Sequence, residues 1–187
     1  MSKGRLEAFT DGVIAIIITI MVLEMKVPHD VTRQALAAVW PIFLSYVLSF
    51  ITVGIYWNGH HHMFHAVKRV NGLTLWANLH LLFWLSLMPF ATGWMGEHHF
   101  APVPVVLYGV VLLMTAIAFY LVVRALVSLE GADSDFALRI GAAWKGKASL
   151  IAYSVGLGLA VVDPRISLAL DVAVAAMWFI PDRRFEG

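Results

Sequence analysis

The chain has 187 residues, of which 60% are hydrophobic and 13% charged; soluble domains carry about 25% charged residues, so the composition is that of an integral membrane protein. A net charge of +1 argues against a nucleic-acid partner, and the lack of any cysteine excludes disulfides, thiolate metal sites and cysteine nucleophiles. At roughly 20 residues per crossing, the length holds about six or seven spans with short connections and no soluble domain.

The first apolar segment, from about Arg5 to Lys26, opens with Arg5, Phe9, Thr10, Asp11 and Gly12 and continues as nearly pure hydrocarbon to Leu23. A charge at the centre of a spanning helix costs roughly 2.5–3.5 kcal/mol on insertion scales, so Arg5 and Asp11 are expected to pair and to face the protein interior. No small-residue cleavage site follows, and apolar segments recur to the end, so the segment reads as a span and not as a signal peptide. Positions 12, 16, 19, 20, 23 and 27 share one helical face, Gly12, Ile16, Thr19, Ile20, Leu23 and Val27. β-Branched side chains make such a wall stiff; by itself the pattern also fits an ordinary packed or lipid-facing helix.

Three charge-free runs follow, Gln34 to Gly59, Asn71 to Gly96 and His98 to Val123, each of 26 residues and each long enough to cross. The segment Ser128 to Lys147 reads as a cytoplasmic connection. Ala148 to Val162 and Ile166 to Ile180 read as two short helices joined by a turn at Asp163-Pro164-Arg165, because proline disfavours helix in the residue before it. The predicted fold is therefore all-α, one bundle of six transmembrane helices over residues 1–187. With six spans, ten of the thirteen Lys and Arg residues fall on the side of the N-terminus and only Lys26, Arg33 and Arg165 on the other. The positive-inside rule then puts both termini in the cytoplasm. Most of the tryptophans sit near helix ends, where aromatic belts form.

The Arg5–Gly12 motif resembles the Arg-x-x-x-Phe-Ser-Asp-Gly signature of the transmembrane protein 175 family of potassium channels, with Thr10 supplying the hydroxyl usually given by serine. Trp57 with His61, the stretch from Asn71 through Asn78 to His80, and Pro89-Phe90 with Thr92 strengthen the likeness, which is specific through about residue 95. The resemblance implies a homotetramer in a prokaryotic inner membrane, needing no cofactor and passing monovalent cations, potassium foremost. It implies a pore lined by the first helices, with Ile16, Ile20 and Leu23 as the constriction and Thr19 as a hydroxyl layer. Arg5, Phe9, Thr10, Asp11, Asn78 and His80 would then brace that helix, Trp57 and Trp76 being further members. No Thr-Val-Gly-Tyr-Gly filter is present in the sequence.

The remaining polar residues are open to more than one reading. Glu24 is either a cation-attracting ring or the partner of Lys26. His61 and His65 share a helical face and, with His80, suit a haem- or metal-binding membrane oxidoreductase; otherwise His60, His62 and His65 are a solvated helix end beside Lys68 and Arg69. His98 and His99 read as solvated. Asp171 reads as buried, with Arg124 or Lys145 as candidate partners. A secondary transporter would favour internal repeats and broken helices, and neither is evident. No metal-protease spacing or serine-nucleophile context supports a hydrolase.

Overall fold

The computed structural model describes residues 2–141 and 144–180, and Arg183 and Arg184 of the basic count lie outside them. The described residues are helical, with no strand among them. Helix α1 (Lys3–Leu23) has 21 residues, about 32 Å at 1.5 Å per residue, which matches the hydrocarbon core. It starts and ends slightly earlier than the sequence suggests.

Proline sets the course of the next two spans. Helices α2 (Arg33–Ala38) and α3 (Trp40–Ala66) meet at Val39, whose dihedrals remain helical, and Pro41 lies in the first turn of α3. Proline lacks the N–H that would continue the i→i−4 ladder. The junction is carried instead by Val39 N to Leu36 O at 3.2 Å and Phe43 N to Val39 O at 3.0 Å. The same device recurs at Leu87 between α4 (Gly72–Ser86) and α5 (Met88–Glu97), with Pro89 in the first turn of α5. Asn71 starts α4, its Oδ1 accepting from Thr74 N at 2.9 Å, as N-cap asparagine does. Gly72–Glu97 thus forms one bent span.

Helix α6 (Pro102–Glu130) begins with proline, favoured at a helix start. Residues 98–101 reverse the chain tightly. His99 and Phe100 take positive φ values of 53° and 59°, and Phe100 N closes back on Met95 O at 3.0 Å. The run beginning at His98 therefore starts its helix only at Pro102 and continues beyond Val123 to Glu130. A short α7 (Asp135–Gly141) interrupts the connection that follows α6. Helix α8 (Trp144–Ala160) then pairs with α9 (Pro164–Phe179) across the expected Asp-Pro turn, where Asp163 Oδ1 accepts from Arg165 N at 2.9 Å.

Four helical segments are long and apolar enough to cross a membrane: Lys3–Leu23, Trp40–Ala66, Gly72–Glu97 and Pro102–Glu130. The protein is accordingly multi-pass. Helices α8 and α9, of 17 and 16 residues, extend about 25 and 24 Å, short of the ~30 Å core.

The packing centres on α6, which touches α4, α5, α7, α8 and α9. Its inward residues Val105, Tyr108, Leu112, Ala118 and Val122 are fully buried. Close approach depends on small residues, as in other membrane bundles. A Cβ at Gly96 on α5 would lie 2.7 Å from Ile42 Cα and 2.5 Å from Ser45 Oγ on α3. Gly156 on α8 faces Ser167 of α9, but a Cβ there would meet its Oγ at 3.4 Å, an ordinary contact distance.

Candidate functional site

Helix α1 has two faces. Leu6, Thr10, Ile14, Ile17 and Met21 are buried, one side of a 3.6-residue helix packed on α3, α4 and α5. Gly12, Ile16, Thr19 and Leu23 lie on the opposite side and are exposed in the single chain, with Ile20 at the edge of that face. Ile16 is 58% exposed and Leu23 78%. Thr19 turns its hydroxyl proton back onto the helix, with Ala15 O at 3.1 Å and Ile16 O at 2.9 Å. Its oxygen lone pairs therefore point away from the backbone.

The buried face is fixed by a polar chain. Asn78 Nδ2 donates to Thr10 Oγ1 at 2.8 Å, and Asn78 Oδ1 lies 2.9 Å from His60 Nε2. Since the amide oxygen can only accept, His60 carries its proton on Nε2. Thr10, Asn78 and His60 are all buried. The His60 ring stacks on Phe64 with centroids 4.2 Å apart. The expectation that His60 is a solvated helix-end histidine is corrected here. Its inward position was legible from spacing, because Ser45, Ser49, Thr52 and His60 form a polar stripe along one face of α3. His61, His62 and His65 lie off that stripe and are exposed.

Asp11 is exposed and accepts from Trp57 Nε1 at 2.9 Å, and Trp57 stacks on His61. Arg5 is exposed on α1, six residues from Asp11 and about 240° around the helix. The two do not pair, because that rotation turns them apart. Lys3 does the anchoring that the sequence reading gave to Arg5: its Nζ donates to Phe64 O at 2.9 Å and Val67 O at 3.0 Å. A cation there adds to the hydrogen bonding of the terminal carbonyls of α3 and complements its dipole. Phe9 is exposed and makes no part of the polar chain.

His80 is not in that chain. It lies two residues from Asn78, about 200° around α4, so the two side chains face opposite ways. His80 Nε2 accepts instead from Trp84 Nε1 at 2.9 Å. Trp76 is exposed on the same outer side. Lys26 pairs with Glu97 at 3.1 Å, not with Glu24. The Glu24 side chain lies against Gly93 of α5, where an added Cβ would stand 3.8 Å from its Oε2.

The partners suggested for Asp171 are also corrected. Lys145 Nζ donates to Ile180 O at 2.6 Å, and Arg124 turns to Tyr120 OH at 3.3 Å. Asp171 is buried, and its Oδ2 has no hydrogen-bond partner among the described residues. A second buried chain joins three helices: Thr92 Oγ1 donates to Ser49 Oγ at 2.6 Å, and Ser49 Oγ to Tyr108 OH at 3.1 Å. No group of three His, Asp or Glu residues able to hold a metal occurs among the described residues.

Residues 5–89 match the family model described as the endosomal/lysosomal potassium channel TMEM175. A potassium channel of Chryseobacterium sp. (strain P1-3) is 52% identical over 186 residues, covering 100% of this chain and 97% of that protein. A potassium channel of Streptomyces collinus is 37% identical over 125 residues, 63% of this chain and 61% of that protein. The human endosomal/lysosomal proton channel TMEM175 is 40% identical over 96 residues, 44% of this chain and 19% of the human protein. The crystal structure of a lysosomal potassium-selective channel TMEM175 homolog from Chamaesiphon minutus matches with a TM-score of 0.84 at 28% identity, covering 95% of this chain and 96% of that one. That likeness extends past residue 95, where the sequence motifs end.

Proposed function

This chain belongs to the TMEM175 family of ion channels, and we propose that four copies assemble with the uncovered face of α1 turned inward as the wall of a potassium-conducting pore. The observation that carries the reading is the two-sidedness of α1. One face is locked to its own subunit through Thr10, Asn78 and His60, while Gly12, Ile16, Thr19 and Leu23 are left uncovered. Ile16, Ile20 and Leu23 form the constriction in this reading, with Thr19 between them as a ring of hydroxyl oxygens. Six spans cross the membrane, the short α8 and α9 where the bilayer thins locally to meet them. Residues 1–187 form one repeat, and both termini lie in the cytoplasm of a prokaryotic cell.

A ring of isoleucines has no oxygen with which to replace an ion's hydration shell, and a narrow apolar constriction gates by dewetting. When wide enough to wet, it passes partly hydrated ions. Potassium rearranges its water more readily than sodium, so potassium and rubidium are preferred, less sharply than in a carbonyl filter.

The test is ion flux into liposomes containing the purified protein, potassium against sodium, with Ile16→Asn alongside. The expected result is potassium flux above empty liposomes, with higher conductance and reduced selectivity in the variant. Flux and selectivity unchanged by Ile16→Asn would remove the constriction from Ile16. Absence of flux from intact tetramers would count against the open-pore reading.

A further inference from the structure

The outer surface of the subunit carries a groove between α4 and α6, with a volume of about 420 Å³. Leu73, Trp76, Leu121 and Ala125 supply apolar walls, and His80 and Arg124 are its two polar side chains. Because α5 continues α4 and residues 98–101 reverse the chain into α6, the two walls run antiparallel. The Arg124 end of α6 therefore meets the beginning of α4, next to exposed Lys68 and Arg69.

Arg124 has no carboxylate partner among the described residues. Among the described residues it meets Tyr120, whose OH lies 3.3 Å away and whose ring centre is 6.0 Å from the guanidinium carbon. The next acidic residue on α6, Glu130, lies six positions on, about 240° around the helix. His80 accepts from Trp84 through Nε2, which places its own proton on Nδ1, a donor with no partner among the described contacts. Trp76 is 74% exposed. The groove is thus apolar along its length and cationic at one end, and it opens sideways to the surroundings of a membrane protein.

We propose that this groove is a binding site for an anionic phospholipid. The phosphate sits at Arg124, a glycerol ester oxygen accepts from His80 Nδ1, and an acyl chain lies along Leu73, Trp76 and Leu121. Lys68 and Arg69 add to the field that favours a net negative headgroup, while a zwitterionic headgroup also presents a cation that these residues repel. The proposal rests on the chain being membrane-embedded and not on the pore assignment.

The full-length protein is reconstituted in phosphatidylcholine vesicles containing either brominated phosphatidylglycerol or brominated phosphatidylcholine at equal mole fraction. Bromine quenches tryptophan on contact, and the Trp76 share is the difference between the native protein and Trp76→Phe. Half-maximal quenching of Trp76 is expected at about five-fold lower mole fraction of the anionic lipid, the preference conferred by one basic residue near a charged leaflet. The preference should fall in Arg124→Gln to the remainder that Lys68 and Arg69 supply, survive in Arg124→Lys, and shrink in the native protein at high salt. The salt arm needs no variant and stands if Arg124→Gln does not fold. Equal quenching by both lipids, or a preference undiminished by Arg124→Gln, would overturn the proposal. So would a Trp76 that neither lipid reaches, the outcome expected if a second copy covers the groove. Potassium flux in the same vesicles reports on the pore separately.

Discussion

Asn78 is the residue on which the anchoring of α1 converges, because one amide serves both Thr10 and His60. Asn78→Leu keeps the branched shape and removes both bonds, leaving a hydroxyl and a ring N–H unpaired in a dry interior. An unsatisfied buried polar group costs about 1–3 kcal/mol, although interhelical bonds in membranes average nearer ~0.6 kcal/mol. A destabilisation of about 1–2 kcal/mol is expected, read as a lower unfolding midpoint of the detergent-purified protein by intrinsic tryptophan fluorescence. Thr10→Ser keeps the accepting oxygen and should leave the midpoint unchanged; a drop as large as that of Asn78→Leu would assign Thr10 a packing role instead. The Thr10–Asn78 pairing was legible as two polar residues needing partners in apolar helices. The exclusion of His80 was also legible, since residues two apart on a helix face opposite ways. His60 was distinguishable from its three neighbouring histidines only by its face, the one it shares with Ser45, Ser49 and Thr52.

At the scale of the elements, bends and close approaches position α1. Pro89 lies inside the Gly72–Glu97 span without ending it, and Pro41 stands at the start of Trp40–Ala66, each in a first turn where the missing N–H removes only one bond of the ladder. Gly96 lets α5 and α3 touch, and an added methyl would stand 2.7 Å from the backbone at Ile42. Backbone does not step aside as a flexible side chain does, so Gly96→Ala should destabilise by about 1–3 kcal/mol, as overpacking does. Gly12→Ala is the control, since a Cβ there meets nothing within 4 Å. The two variants compared by thermal unfolding should differ clearly. Equal midpoints would mean that α3 and α5 can separate at little cost. The proline positions were visible in the sequence, but whether each one bends or terminates a helix was not. That depends on whether neighbouring helices hold the chain in its course.

At the scale of the whole molecule, the uncovered face of α1 faces either an aqueous path or hydrocarbon. The chain has no cysteine, so a single introduced thiol reports without background. Thr19→Cys should react with a small water-soluble thiol reagent and lose most of its potassium flux. Phe83→Cys, on an exposed position of α4, should keep its flux under the same treatment. Inertness of Thr19→Cys in a conducting protein would place that face in lipid.

The sequence by itself determined the membrane class, the family, the long apolar spans and the Asp-Pro turn between the last two helices. These follow from composition, from residue types at fixed spacing, and from the geometry that proline imposes on its neighbours. Only the tertiary structure decided the partners. Lys3 caps α3 in place of an Arg5–Asp11 pair, Trp57 serves Asp11, Lys26 reaches Glu97, and Asp171 meets neither Arg124 nor Lys145. Helical periodicity sets the direction of a side chain about its own axis. What it meets there depends on the rotation, depth and separation of the neighbouring helices, which a small residue such as Gly96 sets through contacts distant in the chain.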